Sequence, residues 1–115
     1  MLDKEDNKIL VISRDIIDAE KYYTETNSQD SYAWDNSYTR QYMNTVMFET
    51  VYNEEEQNCV VLSHVVTPDN VGSNKFFSWE KDGGKDTEDY LFLLSFKEVE
   101  KYYSSPDSRI VELTI

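Results

Sequence analysis

Apolar residues occur in short runs separated by long polar stretches, and the first run is short and mostly β-branched, as is typical of a strand. Residues 8–14 contain the β-branched run Ile9–Ile12 and predict a buried strand, which Ile16 and Ile17 could extend. Residues 24–37 are rich in Thr, Ser, Asn, Asp and Gln, whose side chains compete for backbone hydrogen bonds. This stretch therefore predicts a loop, which Tyr32 and Trp34 fasten to the core.

A helical period appears next. Apolar side chains recur at helical spacing between positions 38 and 47 and predict a helix over 37–49, with Asn36 or Ser37 as its cap. A second, short helix is expected to begin at Asn53, because Glu56 stands three residues later and completes a capping box.

The second half of the chain predicts further strands around one more helix. Apolar, mostly β-branched residues predict a strand over 59–66, a polar loop over 69–89, and a buried strand over 90–94. The pattern Ser95-x-x-Glu98 predicts a helix to about Tyr103, and alternation predicts a final strand over 109–115. The fold class expected is α+β, a small mixed sheet packed with two or three short helices in a single domain over residues 1–115.

Charge changes this picture more than composition does. The chain carries 23 acidic and 11 basic residues, a net charge of −12, and Arg40 is the only Lys or Arg between Lys21 and Lys75. Such a field repels nucleic acid and anionic lipid and attracts basic protein surfaces. We therefore expect a protein partner with a basic surface, no direct nucleic-acid binding and no membrane. The candidate partner-binding residues are Asp30, Asp35, Glu49, Glu54, Glu55 and Glu56.

That acidic run also has a structural explanation. Glu54–Glu56 lies in the first turn of the predicted helix, where the helix dipole favours negative charge. A solubility role for the acids and a docking role both remain open at this point.

Candidate chemistry is sparse. His64 is the only histidine and Cys59 the only cysteine, and a shared strand would point their side chains to opposite faces. Asp82, Asp86, Glu88 and Asp89 are the best calcium candidate, but Lys85 lies among them and their spacing is not that of an EF-hand loop. We expect no catalytic residues, no metal, no cofactor and no enzymatic activity.

The start of the chain predicts location. Met1 is followed by Asp3, Glu5 and Asp6 instead of a basic segment, and no early apolar run has the length of a signal peptide core. If Met1 is the natural start, the expectation is a cytoplasmic protein. A single cysteine also excludes an intramolecular disulfide.

Two segments resemble a known family. WDNSYTRQYMN (34–44), with Phe48 and the 53–56 turn, and GGKDTEDYLFLLSFKEVEKY (83–102) are similar to stretches of the bacterial domain of unknown function 6273. The resemblance implies a relation to C-type-lectin-like or sulfatase-modifying-factor-like folds and, because the family continues beyond this chain's last residues, a C-terminally truncated form. It implies no activity and no functional residues.

Two functions stay open. One is a non-enzymatic acidic protein-binding module, in the manner of anti-CRISPR-like inhibitors that mimic nucleic acid and occupy a basic groove. The alternative is a fragment of an extracellular lectin-like domain that binds glycans or surface proteins. Salt-sensitive capture of a basic partner favours the first, and a gene neighbourhood with a signal peptide or anchor favours the second.

Overall fold

The computed structural model describes residues 1–14, 18, 33–73 and 75–110. These residues belong to two compact units, one made of Met1–Ala19 with Phe96–Ile115 and the other of Glu20–Ser95. Short helices and short antiparallel strands occupy separate stretches of chain, which confirms the α+β class. Ile16, Ile17 and most of the predicted 24–37 loop lie outside the described residues.

The first unit begins with a hairpin. Strands β1 (Asp3–Glu5) and β2 (Lys8–Leu10) pair antiparallel, with Glu5 opposite Lys8. Asp6 makes the turn with φ of 49°, a left-handed conformation that aspartate tolerates better than most residues. The strand predicted over 8–14 is therefore confirmed only over Lys8–Leu10. Its predicted burial is wrong, because Ile9 is 59% exposed and Val11 and Ile12 are exposed too.

The same unit holds the last helix of the described chain. Helix α4 (Phe96–Tyr102) confirms the helix expected after Ser95. The Tyr102 hydroxyl donates to Asp3 Oδ2 at 2.9 Å, and Lys101 Nζ lies 3.4 Å from the same oxygen. These contacts, with the tyrosine hydrogen bond as the largest cause, lower the pKa of Asp3 below its ordinary 3.8.

The stretch before Ile110 differs from expectation. Pro106–Arg109 forms a 3₁₀ turn in which the Ser105 side chain accepts from the Ser108 N–H. The strand predicted from Arg109 onward is thus wrong at its first residue, and 111–115 lie outside the described residues.

In the second unit, one helical stretch carries most of the core. A 3₁₀ turn (Trp34–Asn36) leads into α1 (Tyr38–Tyr42), a π-helical segment (Met43–Met47) and α2 (Phe48–Val51). Ser37 caps α1 by accepting from the Arg40 N–H at 3.1 Å. The predicted helix is confirmed, and its cap is the serine.

Helix α3 (Glu54–Cys59) confirms the predicted capping box. Asn53 Oδ1 accepts from the Glu56 N–H at 2.9 Å, and Glu56 Oε1 accepts from the Asn53 N–H at 3.0 Å. Each side chain satisfies an N–H that the helix start leaves unpaired. Because α3 continues to Cys59, this cysteine is not on a strand with His64, and the shared-strand reasoning was wrong.

The strands of the second unit form two antiparallel pairs among the described residues. Strand β3 (Ser63–Val65) pairs with β6 (Thr87–Asp89), and β4 (Asn70–Ser73) pairs with β5 (Ser78–Lys81). The predicted 69–89 loop is therefore wrong, since it contains three strands. The predicted 90–94 strand is also wrong, because the ladder ends at Asp89.

Buried apolar side chains of the described residues gather on the helical stretch. Trp34, Met47 and Phe48 are buried, and Tyr90 stacks on Phe48 with ring centroids 4.6 Å apart. The residues just after β6 therefore cover the helix with an aromatic ring. This packing brings the helical stretch close to β6, so polar side chains of the helix can bond to it.

Candidate functional site

The most enclosed polar group described in the structure is the carboxylate of Asp89, at the end of β6. Asp89 is 1% exposed, and Thr87 on the same strand face is buried too. Glu88 between them is exposed. Alternation along a strand places residues i and i+2 on one face, so β6 directs one acid inward and another outward.

Three donors bind the Asp89 carboxylate. Trp34 Nε1 donates to Oδ2 at 2.9 Å, and the Thr87 hydroxyl donates to the same oxygen at 2.5 Å. Arg40 Nε donates to Oδ1 at 2.7 Å. A buried carboxylate with a cation and two neutral donors has its charge compensated.

Asn44 ties the same helix to the chain after β6. Its Oδ1 accepts from the Tyr90 and Leu91 N–H groups at 2.7 and 3.0 Å. Its Nδ2 donates to the Leu91 and Arg40 carbonyls at 2.8 and 3.0 Å. One amide side chain thus bonds to four backbone groups, three of them in Tyr90 and Leu91. These three groups therefore have hydrogen-bond partners without a neighbouring strand.

Sequence reasoning missed this cluster. By its sequence position, Asp89 belongs with the calcium-binding candidate, and Arg40 is a lone base in an acidic stretch. The available signal was the alternation Thr87-Glu88-Asp89, together with a single arginine inside a long base-free stretch. Which acid that arginine would reach, 49 residues away, is decided by the fold.

The four acids of the calcium candidate serve different purposes. Asp89 faces the interior, Asp82 Oδ1 accepts from the Gly84 N–H at 2.8 Å, and Asp86 Oδ1 accepts from the Thr67 N–H at 2.9 Å. Across the described ranges, no group of three or more His, Cys, Asp or Glu side chains is placed to hold a metal ion.

His64 is exposed on β3, directly opposite Glu88 on β6. Its Nδ1 lies 2.7 Å from Glu88 Oε1, and its Nε2 lies 3.4 Å from Asp86 Oδ2. The Glu88 hydrogen bond is the largest cause that raises the pKa of His64 above its ordinary 6.5. Both ring nitrogens therefore face carboxylates.

The predicted partner-binding residues are distributed unevenly. Glu49 on α2 and Glu54, Glu55 and Glu56 in the first turn of α3 are exposed. Asp35 is half-buried, and its Oδ1 is enclosed beside Gly84, whose φ of 85° admits glycine most readily. Asp30 lies outside the described residues.

No helix within the described part of the chain has the length and apolar character needed to cross a membrane.

Comparison with known proteins places this geometry in a family. No curated protein and no solved structure matches the chain. The two resembling segments meet at the Asp89 cluster, which consists of Asp89 and its donors Trp34, Arg40 and Thr87. Trp34 and Arg40 come from the first segment, and Thr87 and Asp89 come from the second. A family model matches residues 6–113, nearly the whole chain, which confirms the resemblance inferred from those segments. The chain therefore belongs to the family described as the domain of unknown function DUF6273.

Proposed function

We propose that the chain is a non-enzymatic protein-binding module whose acidic surface docks onto a basic, nucleic-acid-binding surface of a partner protein. The observation that carries this proposal is the acidic α2–α3 segment, residues 48–59. Its four glutamates are all exposed, and no lysine or arginine occurs anywhere in 41–74. A stretch with exposed acids and no bases attracts a cationic surface and repels an anionic one.

The described polar clusters support binding over catalysis. Asp89 is sealed from solvent and already accepts from three donors. His64 has a carboxylate at each ring nitrogen. A general base needs a reachable proton on its substrate, and a nucleophile needs such a base beside it. These two clusters offer neither arrangement.

Exposed apolar side chains accompany the acids. Val51 is 51% exposed within α2, between Glu49 and the first turn of α3, and Val46 is also exposed in the π-helical segment. Protein interfaces combine an apolar centre with charged residues around it. The acidic α2–α3 segment offers both, so contact with a protein is favoured over contact with free polycations.

The proposal predicts loss of partner capture when the segment is neutralised. In the variant Glu49→Gln/Glu54→Gln/Glu55→Gln, we expect the basic proteins retained from a lysate of the source organism to be lost. Glu56 is kept because its side chain completes the capping box of α3. Retention is measured by quantitative mass spectrometry, with elution by added salt and by duplex nucleic acid.

The matched control removes three exposed acids from the other unit, as Glu5→Gln/Glu100→Gln/Asp107→Asn. Both triple variants change the net charge from −12 to −9, since each removes three of the 23 acids. The control should retain the partner. Equal loss of the partner in both variants would mean that overall charge, and not the acidic α2–α3 segment, determines binding. A partner that nucleic acid does not displace would contradict docking onto a nucleic-acid-binding surface.

A further inference from the structure

The cluster of His64, Asp86 and Glu88 lies outside the Asp89 cluster and outside the acidic α2–α3 segment. It joins three elements of the second unit: β3 provides His64, β6 provides Glu88, and the loop before β6 provides Asp86. All three side chains are partly open to water, with 59% exposure for His64, 58% for Glu88 and 44% for Asp86.

The number of N–H donors that the His64 ring needs depends on the two carboxylates beside it. A carboxylate accepts hydrogen bonds and donates none, so a ring nitrogen that bonds to one must carry a proton. Neutral imidazole has a single N–H, whereas both nitrogens of His64 face carboxylate oxygens. Only the doubly protonated imidazolium satisfies Glu88 and Asp86 together.

Asp86 connects the ring to the backbone of another segment. While its Oδ2 faces His64, its Oδ1 accepts from the Thr67 N–H at 2.9 Å. The loop that carries Asp86 is fastened nearby, since the Gly83 N–H donates to Asp69 Oδ1 at 2.9 Å. A change in the charge of the ring therefore acts on a carboxylate that holds the 82–86 loop against Thr67.

We propose that His64, Asp86 and Glu88 form a pH-dependent clasp, closed by the imidazolium, which binds Asp86 of the 82–86 loop to β3 and loosens this attachment when the ring loses its proton. The ionisable groups that act on the ring are Glu88 from β6 and Asp86 from the loop. Arg40, behind β6, donates to the Glu88 carbonyl at 3.5 Å and pairs with Asp89, so it does not compete for the Glu88 carboxylate.

The sign of the pH effect follows from the raised pKa of His64. The stabilisation by the clasp is fully present below the pKa of histidine in the unfolded chain, about 6.5. It is lost as pH rises through the higher pKa of the folded protein. The clasp is thus closed below about pH 6.5 and opens at a higher pH, as the ring loses its proton.

The test uses the single histidine of the intact chain. Imidazole NMR signals followed against pH give one titration curve, and its midpoint should lie above 6.5. Glu88→Gln should lower that midpoint more than Asp86→Asn does, because the Glu88 contact is the shorter. Glu80→Gln, an exposed acid on β5, is the control and should leave the midpoint unchanged.

A second signal reports on the loop. The Thr67 amide resonance should move with the same midpoint as the ring in the native chain, and this movement should disappear in His64→Gln. A midpoint at or below 6.5, a midpoint that neither Glu88→Gln nor Asp86→Asn lowers, or a Thr67 amide that does not follow the ring would overturn the proposal.

Discussion

At the scale of single residues, Asp89 shows what a buried carboxylate requires. Removing a charge from water costs several kcal/mol unless a counter-ion and hydrogen bonds replace the solvent. Arg40, Trp34 and Thr87 supply these replacements, and Arg40 keeps 29% of its own side chain exposed. The cation therefore stays partly hydrated while the anion does not.

Substitution of Asp89 is expected to be the most damaging single change among the acids that the structure describes. Asp89→Ala leaves the Arg40 guanidinium without its partner and should lower the free energy of unfolding by about 3 kcal/mol. Asp89→Asn should cost less, because it keeps an acceptor for one donor but presents an N–H₂ group to another. Chemical denaturation measures both, and Glu80→Gln on exposed β5 should unfold as the native chain does. An Asp89→Ala variant as stable as that control would contradict the structural role.

At the scale of elements, the helical stretch of the second unit is held at its start and in its middle by polar side chains. Ser37 caps its start, and Asn44 in the π-helical segment bonds to the backbone at Tyr90 and Leu91. A π-helical turn inserts one extra residue and rotates the positions that follow it. This part of the helix is where the amide of Asn44 meets the chain after β6.

Helix α3 provides an element-scale prediction. Asn53→Ala removes the cap acceptor and should lower the free energy of unfolding by about 1 kcal/mol, since a helix of six residues depends strongly on its cap. Asn53→Ser should retain most of the stability, because a serine hydroxyl also accepts from the Glu56 N–H. Thermal or urea unfolding measures the change. Asn58→Ala, an exposed position of the same helix, is the control, and an equal loss there would show that composition rather than capping matters.

At the scale of the whole molecule, charge dominates. A net charge of −12 on 115 residues produces self-repulsion that opposes compaction. Specific ion pairs such as Arg40–Asp89 and Lys101–Asp3 act in the opposite direction. With 11 bases against 23 acids, however, the acids outnumber the lysines and arginines that could pair with them. Screening of charges by added salt should therefore weaken the repulsion among the acids more than it weakens the ion pairs.

Added salt is accordingly expected to stabilise the chain. The melting temperature should rise as sodium chloride is raised from low concentration to about 0.3 M, where the Debye length falls well below 10 Å. The variant Glu49→Gln/Glu54→Gln/Glu55→Gln, at −9, should show a shallower rise. A melting temperature that falls with salt would mean that the ion pairs outweigh the repulsion.

Local chemistry was sufficient to predict some features from the sequence alone. The capping box at Asn53 and Glu56 needs two residues three positions apart, so the sequence predicts it directly. The sequence also predicts the α+β class and two helices, over 37–49 and from 95 to about 103, which the structure places at 38–51 and 96–102. The acidic stretch without bases is likewise a property of the sequence itself.

Tertiary structure alone decided the rest, because strand pairing and burial join residues far apart in the chain. Glu88 and Asp89 are adjacent acids, and no local rule states that one faces His64 across a strand pair while the other is sealed against Trp34, 55 residues away. The 90–94 run was predicted as a strand from its apolar composition, yet Asn44 satisfies the backbone at its start and the Phe48 ring covers Tyr90. Sequence determined which groups carry charge and where helices begin; packing determined which of those charges meet a partner and which remain in water.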